Sequence, residues 1–368
     1  MPSLLLRDVL PILQLLAPLE LAEDWDNVGL LLGSQDQSVA RIMTCLTITQ
    51  DTVAEACHEN ADLVISHHPL FYRPVKRVTD QTQEGRLVLS LMRAGIAVYS
   101  AHTAYDNAPG GINDQIASIL QLESVKPLRP ALGERQCKIV VFVPESDLAK
   151  VSDALFAAGA GVIGQYRECS FRVAGTGSFF GTEVTQPTVG QKGRREEVAE
   201  WRLEVICPER LVDEAIRAMR AAHSYEEPAF DVYPLRPTYR PGGAGRIGVL
   251  PRELTLQMLV DKVRQHWQQE SVRFVGPPEQ MVRRVAIACG AGRDLLADAL
   301  GAQADVIVTG EMRFHDLLSA RAEGASVILL GHYSSERFAI ENLSRRLKEL
   351  LPDLTIWASH RERPVVLS

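Results

Sequence analysis

The chain has 368 residues, 46% hydrophobic and 23% charged, a balance that excludes wholesale disorder. Lys+Arg 39 against Asp+Glu 46 leaves a net charge of −7 with no strongly basic window, which argues against a nucleic-acid partner held through its phosphates. Six scattered cysteines without a C-x-x-C pair fit neither a thiolate zinc cage nor a disulfide framework, and they suit a reducing cytoplasm.

At ~150 residues per domain the length predicts two domains, or three. The opening Leu4-Leu5-Leu6 and Val9-Leu10 are interrupted by Arg7, Asp8 and Pro11, so the stretch reads as a short amphipathic helix capped by Ser3 rather than as a leader. No run approaches the ~20 apolar residues of a membrane span. From residue 40 to 125 the pattern alternates: strand at Arg41–Ile48, helix at Asp51–Asn60, strand at Asp62–Ser66, helix at Glu84–Ala94, strand at Ile96–Ser100. A Gly110-Gly111 break then precedes a helix from Ile112 to Leu120. Such alternation predicts βαβ units on a sheet.

Residues 246–368 repeat the theme. Ala61-Asp62-Leu63-Val64-Ile65-Ser66-His67-His68 aligns with Ala304-Asp305-Val306-Ile307-Val308-Thr309-Gly310-Glu311. In each half H-x-x-x-[DE] follows a short apolar strand: His102 to Asp106 in one, His332 to Glu336 in the other. Short Val/Ile strands look alike by chance, but matching polar residues at matching strand ends do not, and the reading is two related αβ halves. Between them, residues 135–238 predict β-α-β-β-α-β, the ferredoxin-like order, with a long polar loop or hairpin at Gly181–Glu197. Pro234–Gly245 reads as an exit linker with Gly242-Gly243-Ala244-Gly245 as a hinge. The predicted fold class is therefore α/β: a discontinuous domain, 1–130 and 241–368, interrupted by an inserted α+β domain at 135–238.

Ile65-Ser66-His67-His68-Pro69 is the most specific feature. Taken alone, two histidines at a strand end are as easily a hydrogen-bonded polar terminus as a ligand pair. Their company decides it: His102, Asp106, His332 and Glu336 all follow predicted strands, at the edge where open α/β sheets bind ligands. Imidazoles and carboxylates without thiolates suit Zn²⁺, Fe²⁺, Mn²⁺ or Ni²⁺. His67, His68, Asp106, His332 and Glu336 are too many for one open catalytic ion and enough for two divalent metal ions sharing a carboxylate. Asp24-Trp25-Asp26-Asn27-Val28-Gly29-Leu30 reads either as a turn before a strand or as a source of a carboxylate, Asp26 or Asn27's amide, behind a ligand histidine. Glu311 is open between general base, supporting carboxylate and helix N-terminal acid, and His315 between cleft and surface. His223-Ser224-Tyr225-Glu226-Glu227-Pro228 reads as a helix end stopped by proline.

These blocks together resemble the Nif-three-like dinuclear metal-centre family, whose members are often labelled GTP cyclohydrolase type 2 homologues. The resemblance runs over essentially the whole chain and rests on Trp25-Asp26-Asn27-Val28-Gly29-Leu30, Ser66-His67-His68-Pro69, His102-Thr103 with Asp106, Thr309-Gly310-Glu311, and Gly331-His332 through Glu336. Ser224-Tyr225-Glu226-Glu227-Pro228-Ala229 resembles the PII/CutA-like lid of the longer bacterial members, with Ser224 in place of a common proline; Phe314 stands where many relatives have a histidine. The resemblance implies that His67, His68, Asp106, His332 and Glu336 hold two metal ions, and that His102 and Glu311 line the same cavity as candidate catalytic residues. It also implies a homohexameric toroid, a trimer of dimers capped by the inserted domains. The expected function is a metal-dependent hydrolase of a nucleotide such as GTP; the alternative is a non-enzymatic metal-storage, metal-delivery or regulatory assembly.

Overall fold

The computed structural model describes residues 3–364. The chain divides into two compact units, one built from the residues up to Ala131 with those from Pro241 onward, the other from Leu132 to Arg240. Among the described residues no helix is long and apolar enough to cross a membrane.

The first unit contains two sheets of mixed α/β type. In one, the strands Thr355–Ala358, Arg41–Cys45, Leu63–Ser66 and Ala97–Ser100 run parallel in that order, and Gly29–Leu32 closes the edge antiparallel. In the other, Met281–Ala291, Val306–Glu311 and Ser326–Leu329 form a parallel run flanked by antiparallel neighbours. Leu63–Ser66 is buried throughout and Val306–Glu311 is buried up to Gly310, as the apolar runs Leu63-Val64-Ile65 and Val306-Ile307-Val308 lead one to expect. Leu63 and Ile65 pack into the same large core as Val306 and Val308, while Val64 and Ile307, one residue out of phase, point into two smaller clusters on the opposite faces. The His332–Leu350 helix lies along this core through Ala339, Leu343 and Leu347.

The boundaries differ from the sequence reading where backbone partners outweigh propensity. The first helix is Leu6–Leu16, and Ser3 does not cap it. Leu4–Leu5 instead pairs with Ser38–Val39, and the Leu6 and Arg7 amides donate to Gln37 and Gln35 carbonyls, which satisfies the first turn without a side chain. The helix read at Asp51–Asn60 is Gln50–His58, held by a reciprocal Thr49–Thr52 capping box. The segment read as an exit linker, Pro234–Gly245, instead runs into a long strand, Tyr239–Thr255. Its glycines serve close packing rather than hinging: a Cβ on Gly243 would sit 2.3 Å from the Arg129 carbonyl.

The second unit has a four-stranded antiparallel sheet, in spatial order Phe230–Pro234, Gln136–Val143, Arg195–Pro208, Ser170–Phe180, with the helices Leu148–Ala157 and Val212–Ala222. One face carries a compact core of Ile139, Val141, Val151, Leu155, Leu203, Val205 and Met219. Ser170–Phe180 and Arg195–Pro208 continue pairing past the core, out to Phe180 opposite Arg195, so the Gly181–Glu197 stretch contains the connection of a hairpin. The His223–Pro228 segment does more than end a helix. Its Ser224 carbonyl and Glu226 carboxylate accept from Thr188 and the Gln186 amide, and Tyr225 borders a cavity of ≈ 600 Å³ beside the Gly181–Arg194 connection.

Candidate metal centre

The centre lies where the Leu63–Ser66 strand ends. The amides of His67 and His68 continue the sheet's bonding, donating to Cys45 and Leu46 carbonyls, so the two side chains leave the strand from a rigid backbone. His102 opens the short helix His102–Asn107 directly after Ala97–Ser100, and its amide donates to the His67 carbonyl at 3.0 Å. Its φ of +23° is a conformation L side chains rarely adopt, held here by the bonds on either side. Asp106 follows one turn later on the same face. Glu336 and His332 share a face of the His332–Leu350 helix in the same i, i+4 relation.

These side chains converge. His67, His68 and His102 each offer a ring nitrogen, with these atoms within 4.8 Å of one another, and a ring nitrogen each of His68 and His332 lies equally close to a carboxylate oxygen of Glu336. His68 belongs to both groups. Its Nε2 lies 3.1 Å from Glu336 Oε2, which is also 3.4 Å from His332 Nε2. Asp106 Oδ1 is 3.6 Å from His67 Nε2, placing the second carboxylate against the buried histidine. Glu311 touches the edge of the group, 3.2 Å from His332 Nδ1, with most of its side chain in solvent. His315 does not join: it is exposed on the Phe314–Ala322 helix.

Supporting residues hold the imidazoles in orientation. Asp26 Oδ1 lies 2.7 Å from His102 Nδ1, and its other oxygen accepts from the Thr103 amide and hydroxyl. Thr47 Oγ1 lies 2.8 Å from His68 Nδ1. The Thr47 and Leu46 amides in turn donate to Glu362, whose carboxylate is paired with Arg337. Of the Asp26/Asn27 alternatives, Asp26 takes the place behind the histidine, while Asn27 donates to the Phe71 carbonyl.

The electrostatics fit a metal. His67 is 1% exposed in its side chain, and both ring nitrogens lack a hydrogen-bond partner among the described residues, as does Asp106 Oδ1. Buried polar atoms without partners are expensive, and two facing donor atoms of this kind are what a coordinated cation satisfies. Burial first, then the neighbouring histidines, push the His67 imidazole well below its ordinary range, and burial with His102 brings His68 to about 4. Both are therefore neutral ligands at neutral pH. Burial pushes Asp106 and Glu336 up to about 7, Asp106 also through repulsion from Glu336, so the carboxylates lack a full counter-charge of their own. For His102 burial opposes the charged form, but the Asp26 hydrogen bond and nearby carboxylates outweigh it and raise its pKa.

Several participants left no readable mark in the sequence. Gly290, at φ +59°, lies so close that a Cβ there would meet Glu336 Oε1 at 2.3 Å. Asn113 bridges the Asp106 carbonyl to the Cys289 amide. Thr47 and Glu362 belong to no local motif, and only the tertiary fold unites them with His68.

An α/β chain whose strand ends gather histidines and a glutamate into two overlapping groups presents, as a class, a nitrogen and oxygen donor set that could hold a metal ion. The family model described as Duf34/NIF3 (NGG1p interacting factor 3) matches residues 4–364, and the chain belongs to that family. It is 35% identical over 347 residues to a GTP cyclohydrolase 1 type 2 homolog of Halalkalibacterium halodurans, covering 94% of this chain and 93% of the relative. Against the Mycobacterium leprae protein of the same name, identity is 39% over 337 residues, 90% of this chain and 86% of the relative. The crystal structure of a Bacillus cereus protein related to NIF3 superposes with a TM-score of 0.68 at 33% identity, covering 100% of this chain and 99% of that one. Staphylococcus aureus protein SA1388 gives 0.77 at 26% identity with the same coverage. The family read from the sequence motifs is thus the family the chain belongs to.

Proposed function

We propose that the protein binds two divalent metal ions and acts as a metal-dependent hydrolase on a nucleotide such as GTP. The observation that carries this is the sharing of His68 between two donor groups, His67/His68/His102 and His68/His332/Glu336. One ion needs only one such group; two overlapping groups, with Asp106 adjoining, supply donors for a pair. In this reading His67, His68, Asp106, His332 and Glu336 hold the ions, and His102 adds a sixth donor rather than serving only as a cavity wall. When bound, such ions supply a water ionised near neutral pH and polarisation of the attacked bond. The chain's own residues do the rest. Asp26 and Thr47 keep the Nε2 lone pairs of His102 and His68 aimed inward. Glu311, at the solvent edge beside His332, is placed to accept a proton from an incoming water and release it to bulk.

The same proposal takes the two parallel strand runs of the first unit as related halves, each contributing one H-x-x-x-[DE] pair. It takes the second unit as an inserted ferredoxin-like, PII/CutA-like lid on a cytoplasmic homohexamer. The names of the curated relatives support the nucleotide, and the donor set supports the metal.

The test is elemental analysis of anaerobically purified protein, wild type and His67→Ala/His68→Ala, with a GTP hydrolysis assay on the same samples. About two ions per chain, lost in the variant together with turnover, is the expected result. Two ions without turnover of GTP would replace the hydrolase with a metal-storing or metal-delivering assembly. Absence of bound metal in wild-type protein would overturn both.

A further inference from the structure

Trp25 and Tyr72 are large aromatic side chains left in solvent, 55% and 62% exposed, with ring centroids 6.0 Å apart. Isolated exposed aromatics need no explanation, but these two stand in a chain of contacts that leads into the centre. Trp25 meets His102 edge-on at 5.9 Å, and His102 meets His67 at 5.2 Å. Their placement is built rather than incidental. Trp25 adjoins Asp26, which is fastened to His102 and Thr103, and Asn27 donates to the Phe71 carbonyl at 2.7 Å, tying the Tyr72 loop to the Trp25 loop.

Beyond Tyr72 the surface changes character. Tyr72, Arg73, Pro74, Val75 and Lys76 border a hollow of ≈ 440 Å³, with Glu84 its one acidic lining residue. Arg73, Lys76 and the adjacent Arg77 are exposed and form no ion pair among the described residues, three free cations in a chain of net charge −7. The order outward from the imidazoles is therefore aromatic first and cationic second.

We propose that Trp25 and Tyr72 form a stacking platform for a planar heterocycle and that Arg73 and Lys76 hold the phosphates attached to it. Every nucleobase has a π-face that an exposed aromatic can stack, and phosphate oxygens match guanidinium and ammonium donors. The order of the two subsites orients the ligand: the ring lies next to His102, and the phosphates lie farther out over the hollow. That orientation presents bonds of the heterocycle, not the phosphoryl groups, to the centre. The choice of ligand class rests on the hydrolase reading above, but the platform is defined by binding alone.

The experiment is calorimetric titration of the metal-loaded full-length protein with GTP, guanosine and inorganic tripolyphosphate. Trp25→Ala weakens GTP and guanosine by about tenfold and leaves tripolyphosphate unchanged, while Trp25→Phe retains most of the affinity. Arg73→Gln/Lys76→Gln weakens GTP and tripolyphosphate by about tenfold, more at low salt, and leaves guanosine unchanged. GTP that binds in this pattern without being hydrolysed supports the platform and sinks the hydrolase. GTP that is hydrolysed with an affinity indifferent to both variants overturns the platform alone. Failure of the wild type to bind GTP at millimolar concentration also overturns it.

Discussion

Asp26 Oδ1 stands 2.7 Å from His102 Nδ1, on an imidazole whose centroid lies 5.2 Å from that of His67 and 5.6 Å from that of His68. With Nδ1–H donating to the carboxylate, Nε2 keeps its lone pair for the centre, and the ring is held against rotation. Removing that support in Asp26→Ala lowers metal affinity by ~10- to 100-fold without unfolding the chain. Competition against a chelator of known affinity measures the loss; an affinity equal to wild type would make the contact merely structural.

Metal uptake is pH-dependent with a definite sign. Asp106 and Glu336, pushed to about 7 chiefly by burial, hold protons at mildly acidic pH that a cation must displace. Affinity therefore falls as pH drops into the range where these carboxylates take up protons, and flattens above it. In metal-free protein these carboxylates have folded pKa values above their unfolded ones, so their effect on stability turns less favourable as pH rises from the ordinary carboxylate range to about 7. His68, lowered to about 4, acts oppositely, favouring the fold increasingly from pH 4 to 6.5. His67, held well below its ordinary range by burial, acts in the same sense as His68. The measurable consequence is that the melting-temperature gap between loaded and metal-free protein widens from pH 5 to 8.

Gly290→Ala acts on Glu336 through space. The added Cβ would lie 2.3 Å from Oε1, and φ +59° costs a non-glycine residue ~1 kcal/mol or more. The carboxylate must move, so the variant loses metal from the His68/His332/Glu336 group while circular dichroism shows a folded, slightly less stable protein. Retention of full metal content would show that Glu336 is free to shift.

Arg246 tests the frame rather than the centre. Its guanidinium is 2% exposed as a residue and bonds Asp114, the Gly243 and Gly245 carbonyls and the Ala108 carbonyl. Arg246→Met removes the charge that pairs Asp114 and the guanidinium donors to the Gly243, Gly245 and Ala108 carbonyls, at a cost of ~3–5 kcal/mol. Urea unfolding of the first unit gives the number, and a loss under 1 kcal/mol would contradict the assignment.

What the sequence made legible was local and periodic. Alternating Val/Ile runs and 3.6-residue patterns placed the strands at Leu63–Ser66 and Ala97–Ser100 within a residue or two, because a strand buried on both faces permits few other compositions. His67 and His68 stood out because two imidazoles at a buried strand end need partners. His102 was readable as part of a motif, but its grouping with His67 and His68 depends on one unusual backbone angle. Ser3 misled because cap propensity ignores a competing strand, and the 234–245 segment misled because proline and glycine mark close packing as readily as a linker. Thr47, Gly290 and Glu362 were illegible for one reason: each acts on a residue distant in sequence, through a contact that exists only after folding.

That distance has a temporal side. His68 and Glu336, 3.1 Å apart in the fold, are separated by 268 positions along the chain. At roughly 5–20 residues per second of synthesis, the second follows the first by roughly 13–54 s. During that interval the nascent chain displays His67, His68 and His102 with Asp106 but without His332 or Glu336. An ion captured early meets mostly imidazole, a ligand set that ranks divalent metals by intrinsic affinity and favours copper and zinc over iron and manganese. His332 and Glu336 join only after that interval, so the two overlapping donor groups can form together only in a chain synthesised past residue 336.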